Sequence, residues 1–357
     1  MRAKAIIFCF LALLTLPRPG AAQVPATLKF DAVFYGDNSE FFNRFRSGET
    51  ILGWNQRLYW DIELSDRAAL RLGVYALERL GSERSFDEGR PIVSLTLGTP
   101  RHRFILGTLD TGNRNAGTGP DRTTPHGLLP PLAVEPLWFT RAYEAGVQWK
   151  TDVPRLKHDL WFNYQQTNTP AHRELFDGGM VDRLHLRGPL SVGAQFHIVH
   201  HGGQQYASGP VADSLAYGAG AILEGPVARL QKATIEAYGL RAMDRPDRAV
   251  PALTVKGQGI FVRLAAETGP WRGHTIIWRA SDFNHEDGDR NYLSRYADGT
   301  SFVSTRDYAE TGLARVFKPA PSVEFETSFR LHRIESEFTY SYRLLATIHL
   351  TIWKFTI

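Results

Sequence analysis

The chain closes on the stretch YRLLATIHLTIWKFTI, residues 342–357, and the reading of this stretch decides the fold. Tyr342, Leu344, Ala346, Ile348, Leu350 and Ile352 fall on one side of an extended chain, with Arg343, Leu345, Thr347, His349, Thr351 and Trp353 on the other. Successive side chains of a strand point to opposite faces, so this is a strand with one fully apolar face. Left as an edge in water, such a segment is an aggregation template. It is safe only if its backbone is paired and its apolar face has a non-aqueous neighbour.

The same period of two recurs along the chain. TLKFDAVFY sets Leu28, Phe30, Ala32 and Phe34 against Lys29, Asp31 and Tyr35, and RLYWDIEL sets Leu58, Trp60, Ile62 and Leu64 against Arg57, Tyr59, Asp61 and Glu63. LRLGVYA places Leu70, Leu72 and Val74 opposite Arg71 and Tyr75; YEAGVQWK places Val147 and Trp149 opposite Glu144, Gln148 and Lys150. Helical spacing is almost absent, so the sequence predicts an all-β chain. Marking every alternating stretch gives about sixteen strands of roughly 9–15 residues, near the length at which a tilted strand crosses a bilayer.

Residues 1–22 read differently. Arg2 and Lys4 precede an apolar run from Ala5 to Leu16, and Gly20 and Ala22 offer small residues for cleavage, the pattern of a secretory signal peptide. Residues 23–357 are then expected to form a single barrel domain. Cys9, the one cysteine, falls inside the leader, which leaves the remainder without a disulfide, a thiolate metal site or a cysteine nucleophile. Removing Arg2, Lys4 and Arg18 takes Lys+Arg from 41 to 38 against 37 Asp+Glu, a balance that gives no support to a nucleic-acid partner. No later segment is a run of roughly 18 apolar residues, which excludes a helical membrane span but not a barrel that needs only every second residue apolar.

The connections carry a second pattern. Counting from a first strand at Thr27, the odd ones are long (36–50, 78–90, 110–139, 167–179, 201–213, 242–251, 282–302), except the last near 335–337. The even ones are short turns such as SD at Ser65, TPR at Thr99 and RGP at Arg187. Long and short loops in regular alternation suit a closed up-and-down sheet with one rim outside and the other in a crowded periplasm. The fold class expected is therefore a closed antiparallel transmembrane β-barrel in which the last strand pairs with the first. Trp60, Trp149, Trp161, Trp271, Trp278 and Trp353, with Tyr143, Tyr164, Tyr308 and Tyr340, are expected near strand ends or on outward faces, as interfacial aromatics.

With its alternating strands, short and long connections and apolar final strand, the chain resembles the sixteen-stranded bacterial porins and related outer-membrane barrels. Such proteins end on an aromatic read by the barrel-assembly machinery; here the last aromatic, Phe355, stands two places before the end. The resemblance implies a home in the outer membrane after Sec-type export, contact with outer-membrane lipid and lipopolysaccharide, and a homo-oligomer, trimers being common among these porins. It also implies that the third outer loop folds into the bore. The third long connection, 110–139, is the longest, and its second half, GLLPPLAVEPLWF, is too apolar to lie in water. A constriction or lid is expected there, with Asp110, Arg114, Asp121, Arg122 and His126 as its polar candidates.

Opposite the aliphatic faces stand Lys29, Asp31, Arg57, Asp61, Glu63, Arg71, Glu144, Lys150, Arg183, His185, Arg187, Glu324, Glu326 and Arg330. So many ionisable groups would be costly in a dry core and are cheap on the wall of a hydrated bore. Both signs are present, so small hydrophilic solutes of either charge are the expected cargo. Catalytic signals are weak: there is no G-x-S-x-G elbow and no H-E-x-x-H. HIVHHGG puts His197 and His201 on one face and His200 on the other, NHEDGDRN (284–291) reads as an acidic solvated loop, and HRELFDGG (172–179) as a polar loop. The expectation is a porin-like diffusion channel without enzyme activity, metal or cofactor. A polysaccharide export channel, a plugged surface or receptor barrel and a secreted soluble β-protein are the alternatives.

Overall fold

A computed structural model describes residues 24–84, 86–112 and 124–356. The proposed signal peptide and the candidates Arg114, Asp121 and Arg122 lie outside the described residues. The strands are β1 (Pro25–Phe42), β2 (Ser47–Ser65), β3 (Ala68–Arg79), β4 (Glu88–Thr99), β5 (His102–Thr108), β6 (Ala145–Val153), β7 (Leu156–Gln166) and β8 (Leu175–Arg187). They continue as β9 (Leu190–His201), β10 (Ala212–Val227), β11 (Leu230–Arg245), β12 (Val255–Thr268), β13 (Trp271–Ser281), β14 (Thr305–Ala320), β15 (Val323–Ile334) and β16 (Glu337–Thr356).

All sixteen lie in sequence order in one closed antiparallel sheet. The terminal strand, the one with the apolar face, pairs with β1 from Pro25↔Thr356 to Glu40↔Tyr340, so neither chain end leaves an open edge. Every connection at one rim spans two residues, as in 66–67, 154–155 and 269–270. Such hairpins call for left-handed backbone, which Gly188, Ala228 and Gly269 adopt. At the other rim the strands run further than alternation alone indicates. β1 and β2 continue through most of 36–50 as a paired ribbon, because the ladder extends past the apolar belt to Phe42↔Ser47.

The two faces separate as the pattern requires. Phe34, Leu58, Val74, Phe162, Ile235, Ile260, Ile277, Leu313, Phe329, Leu344 and Ile352 are exposed on the outside. Tyr35, Tyr59, Tyr75, Trp161 and Tyr238 are buried inside. Trp278 and Tyr308 also turn inward, which corrects their expected place at the interface, as it does for Trp161. Their strand parity decides it: Trp161 shares a face with Asp159 and Asn163, the Trp278 indole N–H donates to the Tyr292 carbonyl at 3.0 Å, and the Tyr308 hydroxyl donates to Glu310 Oε2 at 2.6 Å.

Two long connections fold into the bore. Segment 124–142, with a short helical turn at Leu137–Thr140, buries Leu128, Leu129, Leu132, Ala133 and Phe139. Each of the leucine and phenylalanine side chains contributes about 1.5–3 kcal/mol by leaving water. Segment 282–304 buries Phe283, His285, Asn291, Tyr292 and Leu293. The reading of 284–291 as a solvated acidic loop is thereby corrected. Its polar groups are satisfied by the neighbouring loop and wall: Val134 N–H donates to the Asp287 carbonyl at 2.7 Å, and Asp289 N–H to the Pro130 carbonyl at 2.9 Å.

Candidate functional site

The inward-folded segment 124–142 is held to the wall at several points. Asn55 on β2 donates to the Phe139 carbonyl at 2.8 Å, Arg57 to the Ala142 carbonyl, and Leu129 N–H donates to Gln195 Oε1 on β9 at 2.7 Å. Glu135 receives Arg330 of β15 and Arg343 of β16, and Arg343 also grips Asp37 of β1. Burial alone would raise the Glu135 carboxyl, but Arg330 and Arg343 outweigh it and hold it below the usual carboxylate range.

His126 is the polar anchor at the other end. Its ring stacks on Trp161 at 3.8 Å, with Nδ1 2.9 Å from Asp159 and Nε2 2.8 Å from Glu144. Burial favours the neutral ring, yet the two carboxylates prevail and push His126 up to about 10. Because the folded value lies above the unfolded ~6.5, this stabilisation is complete below that pH and lost as pH rises through about 10. His126→Gln is therefore expected to remove the alkaline loosening of segment 124–128, read as amide hydrogen exchange between pH about 7 and about 10. Wild-type protection factors over 124–128, taken against the intrinsic exchange rate at each pH, that stay constant across that window would refute the assignment.

The remaining wall candidates fall into pairs. Asp61 receives Lys29 at 2.8 Å and Arg71 at 2.6 Å, and Asp31 is bonded by Tyr59 and His349, each at 2.8 Å. Lys150 lies 3.2 Å from Asp159 and 3.5 Å from Asp110, which Arg103 also approaches. Arg183 meets Glu224 at 3.3 Å, Glu326 meets Arg272 at 3.0 Å, and Glu324 meets Lys318 at 3.0 Å. Glu63, His185 and Arg187 sit exposed at the short-turn rim, away from the inward loops.

Two histidine clusters flank the long-loop ends of β9 and β10, on opposite faces of the wall. Inside, Ser214 Oγ is 3.3 Å from His285 Nδ1, and His285 Nε2 is 2.8 Å from His197 Nδ1. Asp177 and Asp287 lie close enough to His197 to suggest a cation site. Arg141 already supplies that charge, with Nη2 2.6 Å from Asp287 and 3.8 Å from Asp177. Desolvation lowers His285 to about 3, so it is a neutral link in a chain that pins segment 282–304 to the wall. Ser214, His285 and His197 are all buried, as are His200 and Asp213 of the second cluster.

Outside, the geometry is different. His200 and Asp213 are cross-strand partners on the face that bears the exposed Tyr217, with His200 Nδ1 2.8 Å from Asp213 Oδ1. Arg248 clamps both Asp213 oxygens, reaching Oδ1 at 2.7 Å through Nη2 and Oδ2 through Nε. Phe176 stacks on the imidazole at 4.4 Å, and Glu174, held by Tyr164 at 3.0 Å, stands 3.9 Å from His200 Nε2. A Cβ at Gly202 would lie 2.4 Å from His200 Nε2, so a larger residue there would have to push the imidazole aside. In the same loop cluster Asn168 Oδ1 and Arg173 Nε are buried without a hydrogen bond among the described residues.

The histidine run signalled this place in the sequence; its partners Glu174, Asp213 and Arg248 had no signal, because they come from separate loops and strands. An imidazole whose Nδ1 is fixed by a carboxylate presents Nε2 as a general base or acid.

Among solved structures, the fold is similar to a loop-deletion form of OmpT, an outer membrane protein of Vibrio cholerae, with 12% identity, TM-score 0.56 and 91% of this chain and 99% of that one covered. It is also similar to the anion-selective porin from Comamonas acidovorans (9% identity, TM-score 0.53, 91% and 100% covered) and to OccK5 of Pseudomonas aeruginosa (10%, 0.53, 92% and 98%). At these identities the likeness concerns the fold, that of outer-membrane barrels. A search of curated proteins finds no significant sequence match. A sequence profile of the lipid A 3'-O-deacylase-type family matches residues 21–355. This overturns the expectation of a chain outside any enzyme class. The motifs sought were local ones, whereas a barrel assembles its polar sites from strand ends far apart in sequence. The chain belongs to the lipid A 3'-O-deacylase-type family.

Proposed function

We propose that this barrel sits in the outer membrane, reached by cleavage of residues 1–22 and export, and hydrolyses an ester-linked acyl chain of a lipid A-type glycolipid in the outer leaflet. The observation that carries the reading is the position of His200–Asp213. The pair sits on the outward-facing side of β9 and β10 at their long-loop ends, covered by Phe176 and the adjoining loops, at the rim where the sugar and ester groups of such a lipid are expected. Family membership supplies the substrate class.

In this reading Asp213 holds the Nδ1 proton, so Nε2 takes a proton from water while the water oxygen attacks the ester carbonyl. Collapse of the intermediate breaks the carbonyl–O bond, and the same proton passes to the departing sugar hydroxyl. The products are a free fatty acid and a deacylated glycolipid. The test is mass spectrometry of lipid A incubated with the refolded chain. Loss of one acyl substituent by the wild type supports the reading; lipid A left intact rejects it.

A second reading, a narrow channel for hydrophilic solutes, draws on the charged pairs of the short-turn half of the bore, where Lys29 and Asp61 are partly exposed. Against it stands the packing of segments 124–142 and 282–304 across the interior. Planar-bilayer recording separates the two: the hydrolase reading expects no steady conductance steps from the refolded chain, and the channel reading requires them.

A further inference from the structure

The outer wall carries a groove of about 960 Å³ beside the histidine site but not continuous with it. Two adjacent rows of cross-strand partners define it. The upper row runs from Met180 on β8 through Tyr217 and Arg241 to Thr305 on β14. The lower row runs through Ala194, Ala219, Gly239, Ile260 and Arg279. Three consecutive small residues, Ala194, Ala219 and Gly239, form the floor, and at Gly239 a Cβ would meet nothing within 4 Å. Tyr217 and Ile260 stand out as the walls.

The groove is graded along its length. Thr305 and Ser281 are strand-end residues at the long-loop rim, whereas Met180 and Phe196 lie five positions down their strands. The upper end thus offers Arg241, Arg279, Gln258 and Ser281, and the lower end only apolar and small groups. Arg279 is largely exposed and shares its charge with Asp307 at 3.6 Å; Arg241 makes no ion pair among the described residues. A polar, basic head above an apolar furrow, open to the bilayer, matches an anionic amphiphile in shape and charge.

We propose that this groove docks a phosphorylated acyl glycolipid of the outer leaflet, with a phosphate at Arg241 and Arg279 and an acyl chain along Gly239, Ala219 and Ala194. The proposal needs the barrel to lie in an outer membrane, but it does not depend on hydrolysis at His200. Phe196, the wall residue nearest that site, lies four positions below His200 on β9, about 13 Å at the usual strand rise.

The experiment uses the full refolded chain carrying His200→Ala, so that turnover does not enter. Retention of bisphosphorylated lipid A in mixed phosphatidylcholine nanodiscs is measured by native mass spectrometry and compared with the fully dephosphorylated lipid. Arg241→Gln with Arg279→Gln is expected to cut retention of the phosphorylated lipid at least about tenfold, each basic group at an anionic head being worth about a factor of five. Retention of the dephosphorylated lipid should not change. Gly239→Trp, which points into open space and leaves the ladder intact, is expected to displace both lipids. Retention of bisphosphorylated lipid A at the parent level in both variants, with barrel folding verified by gel mobility without heating, would overturn the proposal.

Discussion

His200→Ala is expected to reduce acyl release from lipid A by about 10²–10⁴-fold, the usual weight of a general acid–base group, while the barrel folds as before. The imidazole is not part of the bore packing; it rests between Phe176 and the β9–β10 loop on the outer face. Asp213→Asn is expected to lower the rate as well, because an amide presenting its N–H to Nδ1 sets the wrong tautomer. Its lipid-binding level should stay at that of the wild type. Deacylation at the wild-type rate by His200→Ala would move the reaction elsewhere on the barrel.

Glu135→Ala is expected to loosen the inward loop by about 3–5 kcal/mol, the scale of breaking a buried ion pair from one side. Glu135 is the carboxylate that joins Arg330 and Arg343, and without it two guanidiniums face each other with Asp37 and Glu310 as their remaining acidic neighbours. The loss falls on docking of the segment rather than on the wall, whose ladders do not involve Glu135. Hydrogen exchange over 128–142 should therefore rise steeply while that of β15 and β16 stays slow. In planar bilayers the variant should show conductance that the wild type lacks. Unchanged exchange in 128–142 would mean that apolar burial alone secures the loop.

The strand pattern was readable because the side-chain period of a strand is fixed by backbone geometry. Val323, Phe325 and Phe329 fall outward and Glu324, Glu326 and Arg330 inward without reference to anything distant. The apolarity of GLLPPLAVEPLWF likewise announced a segment that must be covered. Segment 284–291 misled, since His285, Asp287 and Asp289 look solvated until Ser214, Arg141 and Arg46 are seen to meet them. Trp161, Trp278 and Tyr308 misled for the same reason: residue type suits a membrane interface and a barrel interior equally.

Alone, the sequence determined the sheet, its closure through the terminal strand and the sidedness of its loops, because alternation and loop length are local properties. Only the tertiary structure decided which loops enter the bore and which polar residues meet. His200 comes from β9, Asp213 from β10, Glu174 from the loop before β8 and Arg248 from the loop after β11. Their union depends on the register of neighbouring strands, and register is set by the pairing of the whole barrel rather than by any one segment.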